Sequence, residues 1–296
     1  ASRLRTLIHL ITLQAPVQHL QLTVGANAAG AWLAGMIPHR AEAGTPLDQA
    51  DIPTESLFQK PMKGVCLLGV GVQDFANPAL IQENLSKAEC VIALSAFDSL
   101  DLEAYADVIL PIGTFTETSG TYLNVDHTWQ SVTGCSQLPG EARPAWKVLR
   151  VLANLMKCEK FSYDSSEEVR EELRALWENH QPIPYKPWLS SDLMQAPGTL
   201  TRVGEWPLYG SDALVRHAIP LQQCAAADEV VVRMHPDTLK KLGLCETVRV
   251  TQQQHSLVLP VRADETVAPG VVALLTGTSQ TAMLGEAFGA IACENV

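Results

Sequence analysis

The sequence predicts an α/β protein: a Rossmann-like parallel sheet layer, truncated at its N-terminus, followed by a small closed β-barrel. Three observations predict this. Over the first half, apolar runs bounded by glycine, such as residues 65–70, alternate with helical segments, as in parallel βαβ units covered on both faces. From residue 229 onward, short β-branched runs recur at close spacing between turn residues, which favours a barrel. Between the two halves lie Pro182, Pro184, Pro187 and Pro197, which neither a helix interior nor a central strand tolerates.

Taken in order, Leu4, Leu7, Ile8 and Ile11 have the spacing of an amphipathic helix. Residues 20–24 are a short strand candidate, followed by the small-residue turn Gly25-Ala26-Asn27-Ala28-Ala29-Gly30. Residues 65–70 read as a strand, 78–88 as a helix, 90–94 and 108–110 as further strands, the last stopped by Pro111. A helix with Val148, Leu149, Leu152 and Leu155 on one side is expected over 145–156. A second is expected over 166–180, opened by a Ser165/Glu168 capping box and carrying Val169, Leu173, Leu176 and Trp177. Residues 181–221 read as a connector. After it come a strand over 229–234, a short helix over 236–242 that ends at Gly243, and strands over 247–251, 257–261 and 271–275. The expected organisation is 1–157, 158–221 and 222–296.

At 296 residues the chain is long enough for about two domains of roughly 150 residues each. Lys+Arg total 21 against Asp+Glu 32, a net charge of −11, which excludes a phosphate-gripping nucleic-acid binder. The apolar stretches fall short of the roughly 20 residues that span a bilayer, so direct membrane insertion is not expected. Arg3 and Arg5 precede an apolar run as in a secretory signal, but Thr6, His9 and Thr12 interrupt it. The absence of an initiator Met suggests a piece of a longer protein. The seven cysteines are dispersed without a C-x-x-C. They offer no local iron–sulfur or zinc clip and fit a reducing compartment in which thiols act as small core residues.

The candidate chemistry is sparse. Ala31 and Trp32 follow Gly30 where a phosphate-binding loop needs Lys and Ser/Thr, and Asn27 and Asp74 stand where dinucleotide fingerprints need glycine. Asp98, Asp101, Glu103 and Asp107 gather near a strand end, either as a ligand site or as a solvated loop with helix N-capping. Glu117 lies in Thr116-Glu117-Thr118-Ser119-Gly120-Thr121. That loop can hold an anion or a polar cofactor edge, or its groups can satisfy one another. The eight histidines form no H-x-x-x-H pair, and no nucleophile elbow is present. No catalytic residue and no metal ligand is expected.

These residues carry a resemblance. Gly25 to Gly30 with Gly35, Pro38, His39 and Arg40, and Ala106-Asp107-Val108-Ile109-Leu110-Pro111 followed by Glu117, Gly120, Thr121 and Asn124, resemble the molybdopterin oxidoreductase superfamily. His235-Pro236, Leu242-Gly243, Val248 and Val267-Ala268-Pro269-Gly270 are similar to its C-terminal double-psi β-barrel. Pro38-His39-Arg40, Ala93 to Phe97, Ala145-Trp146-Lys147 and Asp212 to His217 resemble the large iron–sulfur subunits of bacterial NADH:quinone oxidoreductase, respiratory complex I. The resemblance implies a non-catalytic scaffold that carries no cofactor itself. Its iron–sulfur clusters would sit in an N-terminal region of the same subunit, outside this sequence. Its partners would be that region and other peripheral-arm subunits, on the cytoplasmic side of the inner membrane. Asn27, Glu117, Gly120, Thr121 and Asn124 become vestigial pterin-loop candidates. Two departures weaken pterin binding: Val125 to Gln130 replace an E-G-R-x-Q pattern, and Cys245-Glu246-Thr247 replace a glycine-containing turn. The alternative is the C-terminal part of a molybdenum-pterin enzyme such as a formate dehydrogenase catalytic subunit; a third reading is a freestanding ligand-binding protein.

Overall fold

The computed structural model describes residues 2–17, 25–37, 40–47, 62–179, 200–210, 212–224 and 229–296. The expected strand at 20–24, Pro38, His39 and the four connector prolines lie outside them. The chain divides into two compact units.

The first unit comprises residues 1–53, 120–132 and 163–198. It holds helices α1 (Ser2–Gln14) and α2 (Ala28–Leu33), a 3-10 turn at Glu42–Gly44, and a hairpin of β4 (Gly120–Leu123) and β5 (Trp129–Val132). It also holds helix α6 (Ser166–Glu178). Helices α1 and α6 fall where the periodicity put them, whereas α2 begins at Ala28, inside the stretch read as a small-residue turn. The capping box of α6 is only half as expected: Ser165 Oγ accepts from Glu168 N at 3.2 Å, but the Glu168 carboxylate accepts from Asp164 N rather than from Ser165 N. The Gly120–Val132 hairpin begins at the end of the polar loop read over Thr116–Thr121 and was not itself expected, because its strands are too polar to show an apolar alternation.

The second unit comprises residues 54–119, 133–162 and 199–296. Its parallel sheet runs β1 (Gly64–Leu68), β2 (Cys90–Ser95), β3 (Val108–Pro111). Helix α3 (Pro78–Leu85) and the short α4 (Leu100–Glu103) lie in the crossovers. Asn77 caps α3, its Oδ1 accepting from Leu80 N at 3.1 Å, with Pro78 at the first helical position. One face of the sheet carries Val65, Leu67, Val91, Ala93 and Ile109 into a core with Ile81, Leu85 and Leu102. Helix α5 (Ala145–Leu155) follows β3 in this unit.

A seven-stranded sheet completes the unit in the order β11-β6-β10-β7-β9-β8-β12. Its strands are β6 (Thr201–Glu205), β7 (Val232–Met234), β8 (Thr247–Gln252), β9 (His255–Ala263), β10 (Val271–Leu275), β11 (Phe288–Ala290) and β12 (Ala292–Asn295). β6 pairs with β10, and β7 with β9, in parallel; the other pairings are antiparallel. Val232, Met234, Val248, Val250, Val272, Leu274 and Leu284 form the core. Helix α9 (Pro236–Leu242) ends at Gly243, whose φ of 63° is the left-handed cap that glycine adopts freely. β6 is a correction: it lies inside the expected connector, yet it is an interior strand of this sheet. The short helices α7 (Ala213–His217) and α8 (Ile219–Gln222) follow it, again where a connector was expected.

The cysteines also depart from expectation. Cys66, Cys90, Cys135, Cys158 and Cys245 are exposed and Cys224 and Cys293 half-buried, so none is a core residue in the expected sense. The five exposed ones occupy strand faces and turns outside the two cores. Cys293 packs against the core of the seven-stranded sheet, and burial pushes its thiol up to about 11. A thiol whose pKa is raised on folding favours the protonated native state. Its contribution is therefore complete below the unfolded thiol's pKa of about 8.5 and is lost as pH rises toward 11. Cys293→Ser is expected to flatten the fall in stability over that window, checked by denaturant melts from pH 8 to 11.

Candidate functional site

Two places collect the candidate residues, one in each unit. In the first, Asn27 starts α2 but does not cap it through its side chain. Its Oδ1 accepts from Leu123 N at 2.8 Å and its Nδ2 donates to Thr121 O at 3.1 Å. The amide thus pairs with the outer edge of β4 much as another strand would. Thr121 Oγ1 shares a hydrogen bond with Ser131 Oγ at 3.1 Å, and Arg170 from α6 donates to the same Ser131 oxygen at 2.9 Å. Asn124 Oδ1 closes the hairpin turn by accepting from Asp126 N and Thr128 N. Gly120 pairs with Val132, with open space where a Cβ would stand. Asn27, Gly120, Thr121 and Asn124 therefore come together as the clip and turn of one hairpin.

Glu117 belongs to the second unit. Its carboxylate accepts from Thr114 N at 2.8 Å and Thr114 Oγ1 at 3.0 Å, and Thr118 Oγ1 donates to Thr114 O at 3.0 Å. Gly134 approaches the Glu117 carbonyl so closely that a Cβ there would collide with it. Of the two readings left open by the sequence, mutual satisfaction is the one this loop adopts.

In a parallel α/β sheet, ligands bind beyond the carboxyl ends of the strands. Here that place is filled by the chain itself. Asp212 caps α7 by accepting from Val215 N at 3.0 Å, which brings Arg216 and His217 across the strand ends. Arg216 Nη2 lies 2.8 Å from Asp74 Oδ1, and its Nη1 donates to Gly210 O at 3.2 Å. Both members of this ion pair are largely buried. The same Asp74 carboxylate accepts from Gly71 N at 2.8 Å, fixing the turn after β1. The His217 ring stacks on Phe97, centroids 4.4 Å apart and 6° from coplanar, while Ser95 Oγ holds Phe97 N after β2. Burial, with the negative charges of Asp101 and Asp74, pushes the neighbouring Tyr105 phenol above its ordinary range. Asp101 and Glu103 sit in the first turn of α4, and Asp107 serves the fold by accepting from Val91 N at 2.7 Å. The role of Asp212 to His217 was missed by motif reading; the signal available was an N-capping Asp ahead of an Arg-His pair.

A pterin cofactor needs donors and acceptors that the protein leaves available. The Asn27 amide, Asn124 Oδ1 and Glu117 carboxylate are instead engaged by the chain's own backbone, and Arg216 is engaged by Asp74 and Gly210. In each unit taken by itself, these groups are committed to the chain's own contacts. Among the described residues, no group of three or more His, Cys, Asp or Glu side chains is placed to hold a metal ion. No helix among them is long and apolar enough to cross a membrane.

Residues 9–155 match the molybdopterin oxidoreductase family. That stretch is a molybdopterin oxidoreductase family domain. The chain is similar to the 75 kDa subunit of NADH-ubiquinone oxidoreductase from Reclinomonas americana, 41% identical over 64 residues that make up 22% of this chain and 9% of that protein. It is also similar to the assimilatory nitrate reductase catalytic subunit of Bacillus subtilis, 34% identical over 99 residues, 33% of this chain and 14% of that protein. Among solved structures, acetylene hydratase from Pelobacter acetylenicus shares the fold with a TM-score of 0.54 at 16% identity, over 86% of this chain and 44% of that one. The matches thus cover only a small part of the two curated relatives and under half of the hydratase. The relatives of the chain include both a complex I subunit and a nitrate reductase.

Proposed function

We propose that this chain is a non-catalytic structural and docking segment of the large iron–sulfur subunit of a bacterial NADH:quinone oxidoreductase. The observation that carries the reading is the filled crevice: Arg216 and His217 occupy the strand ends where a cofactor-using relative would place its ligand. Both residues belong to the motif that resembles the complex I branch. In this reading the chain supports electron transfer from NADH to quinone by rigidity, holding an N-terminal iron–sulfur region and other peripheral-arm subunits at fixed distances. It would act on the cytoplasmic side of the inner membrane, with the divisions 1–157, 158–221 and 222–296. The parallel β7–β9 pairing within residues 222–296, with β6 joining β10 in parallel from outside that span, supports reading those residues as the greater part of a double-psi β-barrel.

A second reading is supported by the longer similarity to the nitrate reductase catalytic subunit: the chain would be part of a molybdenum-pterin enzyme, for which formate dehydrogenases are a further model. Purification of the chain from a host that makes molybdenum cofactor separates the two. The scaffold reading expects substoichiometric molybdenum and pterin, measured by elemental analysis and by pterin fluorescence after oxidation, and co-purification with peripheral-arm subunits on co-expression. One equivalent of pterin would overturn it in favour of the second reading.

A further inference from the structure

The parallel sheet of the second unit has a second face, turned away from its core. Residues on it alternate out of register with the core: Gly64, Cys66 and Leu68 on β1, Cys90, Ile92 and Leu94 on β2, Val108 and Leu110 on β3. Leu94 is buried at the carboxyl end of that face, whereas Gly64, Cys66, Cys90 and Val108 are exposed at the amino end. Gly64 pairs directly with Cys90, and Cys66 with Ile92. The two thiols are therefore diagonal neighbours on one surface. Gly64 sets no side chain beside Cys90, and open space lies where its Cβ would be.

This geometry separates two chemistries. Strand spacing and residue rise put diagonal Cα atoms about 8 Å apart. A disulfide requires less than about 7 Å between Cα atoms, because its S–S bond is only about 2.05 Å. Two thiolates joined through a metal ion are linked by two bonds of about 2.3 Å each, which reach further. Among the described residues no third His, Cys, Asp or Glu completes a larger ligand set around a metal. A two-thiolate site suits a soft cation that accepts low coordination, and thiolates select Cu(I) among physiological metals. Four-coordinate Zn(II) would lack ligands among the described residues.

We propose that Cys66 and Cys90 form a dithiolate site for a soft, thiophilic cation, with Cu(I) as its ligand. Binding exchanges two thiol protons for the cation: both S–H bonds are lost, two Cu–S bonds form, and the protons go to solvent without any change of oxidation state. The site stands apart from the cofactor crevice and does not depend on the scaffold reading.

The test offers Cu(I), held by a chromophoric chelator, to the reduced chain under anaerobic conditions. The wild type is expected to withdraw one equivalent. Cys66→Ser and Cys90→Ser are each expected to weaken that binding by about 100-fold, the order lost when a chelating partner is removed, and Cys245→Ser to leave it unchanged. Both thiols are exposed, so thermal unfolding should be unaltered in the serine variants. Mild oxidation should leave Cys66 and Cys90 alkylatable, because no disulfide links them. The proposal is overturned by absence of transfer, by transfer that survives either single substitution, or by transfer that depends on Cys245.

Discussion

Arg202→Ala is expected to destabilise the second unit by about 3 kcal/mol, the cost of a large core truncation that also strands buried acceptors. Arg202 is fully buried on β6. Its Nη1 donates to Gln252 Oε1 at 2.8 Å and to Glu286 O at 3.0 Å, and Nη2 faces Leu275 O at 3.5 Å. One guanidinium thus ties β6 to the end of β8, the end of β10 and the turn before β11. These bonds go to neutral oxygens, and burial pushes its pKa down to about 10, still well above neutrality. The charge is therefore retained on folding at pH 7. Because the folded pKa lies below the unfolded one, the penalty for burying that charge is complete below pH 10 and fades only as pH rises further. The Nη hydrogen bonds offset part of this penalty, while the buried Nε has no partner, so truncation to alanine loses the bonds and leaves the acceptors unpaired. Arg202→Lys keeps the charge but not the planar fork, and should recover less than half of the stability. Urea denaturation of the two variants measures both effects; a neutral Arg202→Ala would show that these bonds contribute nothing net.

The same residue explains why β6 was illegible. Thr-Arg-Val-Gly-Glu has one strongly apolar side chain in five positions, so neither alternation nor a continuous apolar run marks it. Its buried positions are filled by a hydrogen-bonded cation, and Gly204 is pressed against Ala287 where any Cβ would collide. The strands with ordinary apolar cores, β1, β2 and β10, were legible to within a residue or two because burial and hydropathy agree there. The β4–β5 hairpin was hidden for a related reason: a two-stranded ribbon with half-exposed faces selects hydroxyls and amides as readily as apolar groups. For the candidate residues, the sequence named positions but left open what their polar atoms contact. That depends on partners such as Thr121 and Leu123, roughly a hundred residues from Asn27, and no local pattern encodes it. The crevice shows the limit most clearly, since Arg216 and His217 were recognisable as a motif while Asp74 and Phe97, which receive them, were not linked to it.

Asn27→Ala is expected to lower the stability of the first unit by about 2 kcal/mol, two hydrogen bonds at roughly 1 kcal/mol each. The argument begins from β4, an outer strand whose Thr121 carbonyl and Leu123 amide face away from β5. An unpaired strand edge must be satisfied by water or by another group, and the Asn27 amide supplies one donor and one acceptor at that spacing. Alanine removes both at once. Asn27→Asp keeps the acceptor for Leu123 N but sets a carboxylate oxygen against the Thr121 carbonyl, so it should rescue little. Gly30→Ala reaches the same end from the other side, because its Cβ would overlap the Asn27 side chain and force the clip open. Amide exchange at Leu123 distinguishes this architectural role from a cofactor-binding one. All three substitutions should speed exchange there in the chain without any ligand. If Leu123 stays protected in Asn27→Ala, the asparagine is not the clip, and its amide is free to serve as a cofactor contact in the molybdenum-enzyme reading.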